Sequence, residues 1–448
     1  MPGSYWIETM VCPKNEVDSE KIAGTMVRDG FVAATSPETA DVVVVNTCAF
    51  IEPARAESVE TILAMGMLRQ PGARLVVTGC LAARAGSELA AELPEVEVVA
   101  DVGVPVQLAL TRARRDGTRW LPGGEARRPS LDLLDLPRPP ASAPWAYVKV
   151  AEGCDRRCGF CAIPSFRGPQ RSRPIGSVLE EVDALGVREV VLVAQDLASY
   201  GRDLGRDGVG IVRLVESVAQ RVDRVRLLYL YPSSLGDELV DAIVATGVPY
   251  FDLSLQHVSA PLLRRMRRAG GVARFSERIE HVRERAPDAA LRSSFILGYP
   301  GETEEDHDEL LGFLERADLD WAGFFQFSDE AGTYAASLPG AVPEALVLER
   351  LRECTELQDA VTARRRAALV GREIEVLVDA VGRARSHREA PEIDGIVRVP
   401  EDLPEGALAT VQVVASEGPD LIAGPARSLL AAAPAARGAA GRPREARA

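Results

Sequence analysis

A chain of 448 residues is too long for one ordinary domain, so two or three separately packed units are expected. With 46% apolar and 26% charged residues it has a globular composition, and no apolar run is long enough to span a bilayer, so membrane insertion is not expected. A net charge of −14 opposes non-specific attraction to nucleic acid, the N-terminus shows no secretory pattern, and seven cysteines, an odd number, suit a reducing compartment, so the chain is expected in the cytoplasm.

Short apolar runs alternate with amphipathic stretches over the first hundred residues, the pattern of an α/β domain built on a parallel sheet. Strands are expected at 6–9, 41–45, 74–77 and 96–99, and helices at 18–28, 54–67 and 84–93. A first domain over 1–111 then gives way to an Arg/Gly/Pro-rich linker over 112–143. The runs YVKV, EVVLVA, VRLLYL, YFDLSL, ALRSSFIL and WAGFFQF follow, each separated by room for a helix. Six such units predict a (β/α)6 partial barrel of the TIM type, which with a linking helix fills 144–370. Its reactive face is expected at the C-terminal strand ends, near Cys154, Gln195, Asp196, Tyr231, Gln256, His257, Gly298 and Ser328. Short alternating strands over 371–437 predict a small antiparallel β-barrel, and the Ala/Arg/Pro-rich residues 438–448 a disordered tail.

The cysteines carry the chemistry. AEGCDRRCGFCAIP sets Cys154, Cys158 and Cys161 in a CxxxCxxC spacing just after the first barrel strand. Three thiolates on one loop suit a 4Fe-4S cluster that keeps one iron open. Zinc is the bland alternative, but it favours paired CxxC or Cys/His sets, and the four histidines lie far away in sequence. Cys12, Cys48 and Cys80 are remote from one another, yet each follows a predicted strand, as in WIETMVC, DVVVVNTC and RLVVTGC. In a parallel sheet those ends share one edge, where cofactors bind. Burial in the core is the competing explanation, opposed by the polar neighbours Asn46, Thr47, Thr78 and Gly79. Cys354, in RLRECTELQ, is read as structural.

The CxxxCxxC loop with its six-unit alternation resembles the radical S-adenosylmethionine (SAM) superfamily, and its pairing with the N-terminal triad resembles the methylthiotransferases. That resemblance implies two 4Fe-4S clusters, one held by Cys154, Cys158 and Cys161 and an auxiliary one held by Cys12, Cys48 and Cys80. It also implies that SAM serves twice, once as methyl donor and once as the source of a 5′-deoxyadenosyl radical. FILGYPGETEED resembles the superfamily's Gly-rich segment, which implies SAM near Gly298, Gly301 and Glu302. An ordinary turn capping a helix at Thr303, with Glu305 and Asp306 in the first turn, explains that segment equally well. VAQDLASYG similarly implies SAM near Gln195 and Asp196, though both could simply end a strand.

Around the first cysteine, VCPKNEVDSE resembles the GCPKN-x-VDSE pattern of the branch that modifies an aspartate of ribosomal protein S-twelve. The transfer-RNA branches typically show a CQMN-like sequence there. Val11 in place of glycine and Glu16 at a usually apolar position depart from the pattern. The final barrel resembles a TRAM domain, an RNA-binding module, but residues 371–426 hold five arginines and no lysine against eleven acids, a net of −6. That field opposes RNA and attracts a basic protein. The resemblance therefore implies 3-methylthioaspartate formation on the small ribosomal subunit, with an electron donor and a sulfur donor as further partners. A tRNA adenosine methylthiotransferase and a two-cluster electron-transfer or redox-sensing protein are the alternatives.

Overall fold

Val42–Val45 are completely buried, and they form the middle of a sheet covered on both faces. The structure, a computed structural model, describes residues 3–10, 12–122, 133–205 and 209–426. Two units emerge, Met1–Thr362 and Ala363–Ala448. In the first, strands β1 (Ser4–Thr9), β2 (Val32–Ala33), β3 (Val42–Thr47), β4 (Arg74–Gly79), β5 (Val98–Ala100) and β6 (Trp120–Leu121) form a parallel sheet of order β2-β1-β3-β4-β5-β6. The alternating side chains of β3 and β4 sort the helices. Val43, Val45, Leu75 and Val77 pack on α2 (Glu52–Leu68) and α3 (Cys80–Glu92), whereas Val42, Val44 and Val76 pack on α1 (Pro13–Arg28) and α4 (Val106–Asp116).

A boundary at Thr111 falls inside α4, and β6 lies within the stretch expected to be linker. The Arg-rich composition hid them: α4 buries only Val106, Ala109 and Leu110 and ends at the left-handed Gly117. Beyond it, Trp120 covers Gly86 so closely that a Cβ there would lie 2.1 Å from the ring.

The six apolar runs of the barrel are β7 (Trp145–Lys149), β10 (Glu189–Val193), β11 (Arg224–Leu227), β12 (Tyr250–Gln256), β13 (Ala290–Leu297) and β14 (Trp321–Gln326). They pair in parallel as β7-β10-β11 and β12-β13-β14, and a parallel bridge between Leu230 and Leu253 joins the two halves. The open barrel is thus one succession of six strands. Between β7 and β10 come a short antiparallel pair, β8 (Ala151–Glu152) and β9 (Arg171–Ser172), then α5 (Ile163–Arg167) within it, and α6 (Ile175–Leu185) after it. Helices α7 (Ile211–Ala219), α8 (Asp237–Ala245), α9 (Ala260–Arg265), α10 (Val272–Arg285) and α11 (Glu304–Ala317) supply the remaining crossovers. Thr303 and Asp306 close a reciprocal capping box at the start of α11, the helix-capping turn weighed in sequence. Cys354, on α12 (Glu344–Ala367), is buried in the barrel core.

The second unit is a closed barrel of β15 (Glu373–Ala380), β16 (Arg383–Arg385), β17 (Val397–Arg398), β18 (Leu408–Glu417) and β19 (Asp420–Pro425), in the order β15-β16-β17-β19-β18. It is antiparallel except where β17 and β19 run in parallel. A buried ion pair, Arg366 to Glu389, stands beside its apolar core. Burial opposes ionisation of Glu389, but Arg366 and hydrogen bonds from Ser386 bring its pKa down to about 2. Residues 427–437 and the tail at 438–448 lie outside the described residues.

Candidate functional site

The strand order of the first sheet reverses between β1 and β3, and a reversal of that kind opens a crevice at the carboxyl ends of the strands. Register places the ends side by side: Thr9 faces Asn46, Met10 N donates to Asn46 O, and Thr47 faces Gly79. Cys12, Cys48 and Cys80 follow these ends, two residues beyond Met10 and directly after Thr47 and Gly79. Cys80 and Cys12 both lie near enough to act on Cys48 electrostatically. Burial first of all pushes the Cys48 thiol up to about 11. Val11 lies outside the described residues, and Glu16 sits in the first turn of α1 with its N–H on the carbonyl of Cys12.

Polar side chains build this edge. Asn46 donates to Asn15 O and Ser19 Oγ, Asn15 donates to Thr47 O, and the Cys48 N–H donates to Ser58 Oγ. Gly79 turns the chain into α3 with φ +94°, and a Cβ there would lie 2.4 Å from Asn46 Oδ1 and 2.5 Å from Thr47 N. Gly79→Ala is therefore expected to cost about 1–3 kcal/mol in backbone strain alone, read as a lowered urea midpoint. An unchanged midpoint would refute this account of how Cys80 is positioned.

The second cysteine set also follows a glycine. Gly153, at φ +78°, brings its Cα so close to Pro169 that a Cβ would meet the carbonyl oxygen at 2.1 Å. Cys154 N donates to Gly168 O, Cys161 N to Cys158 O, and Gly159 N to Met266 O, which pins the loop across the barrel mouth. Cys161 senses Cys158 and Cys154, and burial drives its thiol up to about 12 and that of Cys154 up to about 11. Among the described residues no three His, Cys, Asp or Glu side chains converge tightly enough for a single metal ion. A cube of iron and sulfur takes one thiolate per iron, so a set of three cysteines matches three of its four corners.

Cations face both sets, which suits thiolate sulfur rather than neutral core thiols. Arg268 reaches within 3.5 Å of Cys158 Sγ, and its guanidinium shares the Tyr231 ring with that of Arg156, at 4.0 and 3.9 Å from the centroid. Arg167, at the end of α5, extends its guanidinium the other way, 3.0 Å from Cys80 Sγ, 3.1 Å from Asp18 and 3.2 Å from Glu152. Burial opposes its charge, but Cys80, Glu152 and Asp18 hold its pKa well above the ordinary value. Lys149 joins the cluster through Asp18 and, at 2.7 Å, Glu152. On the opposite rim, Glu330 binds Arg55 and Arg84, and Ser328 Oγ accepts from Glu52 N. The N-terminal sheet is thus tied to the barrel mouth at both sides.

The remaining expected site residues divide by partner. Gln195 donates to Glu152, and Asp196 accepts from Arg156 and Ser199 beside a cavity of about 230 Å³ that Asp155, Arg156 and Asp196 help to line. Glu302 accepts from the N–H groups of Gly298 and Tyr299 and pairs with Arg350. Gly298 and Gly301 have positive φ, and Cβ atoms there would collide with Val347 and Arg265. Gln256 ends β12 at φ +73°, and the adjacent His257 is buried, which lowers its pKa to about 4. Arg167, Arg268 and Glu330 were missed in sequence. Only Arg167, six residues past Cys161, carried a positional hint.

Family models match three stretches of the chain: uncharacterized protein family UPF0004 over residues 4–101, the radical SAM superfamily over 148–314, and the TRAM domain over 370–425. Ribosomal protein uS12 methylthiotransferase RimO of Kineococcus radiotolerans is 41% identical, with 94% of this chain and 97% of the relative covered. Its counterpart in Moorella thermoacetica is 42% identical, with 90% and 95% covered. In three dimensions the chain resembles the radical SAM methyltransferase TsrM from Kitasatospora setae, solved with cobalamin and a 4Fe-4S cluster, at TM-score 0.54 over 72% of this chain and 75% of that one. At 16% identity this likeness speaks for the fold alone. With all three family segments present and nearly complete coverage in both directions, the chain belongs to the RimO family of radical SAM methylthiotransferases.

Proposed function

We propose that this chain transfers a methylthio group to the β-carbon of an aspartate in ribosomal protein uS12, with Cys154, Cys158 and Cys161 holding one 4Fe-4S cluster and Cys12, Cys48 and Cys80 the other. The observation that carries it is the Arg167 fork, which leaves the loop of the first set and donates to the sulfur of Cys80 in the second. When bound, the clusters and SAM supply the electron, the 5′-deoxyadenosyl radical and the methylthio unit. The protein supplies geometry. Gly79 and Gly153 aim the two cysteine sets, Arg167 and Arg268 offset their negative charge, and the ties at Glu330 and Glu152 hold the sheet over the barrel mouth, so that water and stray hydrogen donors are kept out.

A C–H bond beside a carboxylate is too weakly acidic for a side-chain base at neutral pH, so radical abstraction is the workable route. The net charge of −6 over residues 371–426 supports a basic protein substrate over RNA. The reading places the enzyme in the cytoplasm, supplied by a separate electron donor and a separate sulfur donor; no helix among the described residues is long and apolar enough to cross a membrane. Anaerobically reconstituted protein given dithionite, SAM and a sulfide source, with small ribosomal subunits and unmodified tRNA together, is expected to leave the methylthio adduct on an aspartate. Mass spectrometry that located the adduct on a nucleoside would overturn the substrate.

A further inference from the structure

The geometry points to Lys14 as the residue that grips the side-chain carboxylate of the substrate and so selects aspartate over its amide; this rests on the protein-aspartate reading above. Lys14 stands in the first turn of α1, two residues past Cys12. Its Nζ lies 3.6 Å from the centre of the Tyr229 ring, just beyond β11 at the carboxyl mouth of the barrel. Cys12 and Cys80 also act on it electrostatically. The ammonium therefore occupies the seam between the N-terminal cysteines and the barrel, where a substrate has to enter. Lys14 is half-buried.

The cation lacks the partner that its neighbours have. Lys149, Arg167 and Lys21 each meet a carboxylate. Among the described residues no carboxylate pairs with Lys14. Asp252, the acid at Tyr229, is already engaged by Arg292 at 3.1 Å and by Tyr229 N at 2.9 Å. An ammonium has three donors, and a ring face and thiol sulfurs leave capacity for a carboxylate oxygen. Tyr229 holds its ring there from a backbone at φ +65°, a strained state for a bulky residue and one found at functional sites. The reacting carbon of aspartate is bonded directly to its carboxylate carbon, so a grip on that carboxylate fixes the C–H bond to be broken.

The test uses the full-length, anaerobically reconstituted enzyme with SAM, dithionite and a sulfide source, and two synthetic uS12 peptides, one with aspartate and one with asparagine at the modified position. Affinity is read by fluorescence anisotropy, and kcat and KM by methylthiolation of the aspartate peptide. The wild type is expected to bind the aspartate peptide about tenfold or more tightly than the asparagine one, as for a charge-assisted hydrogen bond. Lys14→Met is expected to abolish that preference, raise KM and leave asparagine-peptide binding within about twofold, with partial rescue in Lys14→Arg. A wild type indifferent to the two peptides, or a Lys14→Met variant that keeps the preference, overturns the proposal. So does equal weakening of both peptides, or a changed electron paramagnetic resonance spectrum of the auxiliary cluster with an unchanged aspartate-to-asparagine ratio, since either assigns Lys14 to the cluster. A wild type that modifies neither peptide nor small subunits removes the protein-aspartate reading itself, and the grip with it.

Discussion

Alanine in place of Cys158 is expected to lower 5′-deoxyadenosine formation by about 10³-fold or more, to the background left when an indispensable group is removed. Cys158 shares the loop with Cys154 and Cys161, its carbonyl fixes the Cys161 amide, and its sulfur faces Arg268. Two thiols are too few to retain the cluster that reduces SAM. Cys80→Ala is expected to act differently. Cys80 lies on the sheet edge, so reductive cleavage of SAM persists in that variant while transfer of the methylthio group is lost. Iron content of each variant should correspond to the loss of one cluster. The same phenotype in both, with 5′-deoxyadenosine gone from each, would contradict a division of labour between the two sets.

Arg167→Met is expected to destabilise the protein by about 3–5 kcal/mol at neutral pH, the cost of breaking a buried ion pair from one side. Asp18 and Glu152 are balanced by Lys149 and Arg167, and all four side chains are at most 8% exposed. Loss of Arg167 leaves one negative charge in excess in a dry site. The deficit carries a pH signature. Burial pushes the Glu152 carboxyl upward, but Arg167 and Lys149 overrule it and set the pKa at about 2, below the ordinary 4.5. In the wild type that stabilisation is complete above pH 4.5 and is lost as pH falls toward 2. Without Arg167 the carboxyl titrates higher, so protonation relieves the variant in mild acid. Urea unfolding at pH 5 and pH 7.5 should show the smaller wild-type-to-variant gap at pH 5, and a gap independent of pH would refute the charge account.

Period and position made most of the architecture legible. The all-valine core of β3 and the six apolar runs of the barrel announce buried parallel strands by composition alone. The cysteines after β1, β3 and β4 become a set only through the rule that parallel strands share one carboxyl edge. Elements whose apolar content is small were not legible: β2 is two exposed residues, and α4 and β6 sit in an Arg-rich stretch. Side chains that reach across the structure were equally hidden. Arg268 finds Cys158 from 110 residues away, and Arg167 finds Cys80 from 87. No spacing rule pairs such residues, because the fold, and not the local sequence, brings them together. Lys14 was readable as part of CPKN, but its position over Tyr229 was not.

The ties between sheet and barrel bear on how the chain matures as it is synthesised. Asp18 waits for Lys149, 131 residues downstream, and Lys21 waits for Glu181, 160 residues downstream. A nascent chain that has completed only its first six strands carries both charges with no counter-ion, and burying them so is costly. The opening third of the polypeptide therefore gains the counter-ions of Asp18 and Lys21 only once the first barrel strand and α6 have been synthesised, and in a chain cut before β7 those two charges are expected to stay in water.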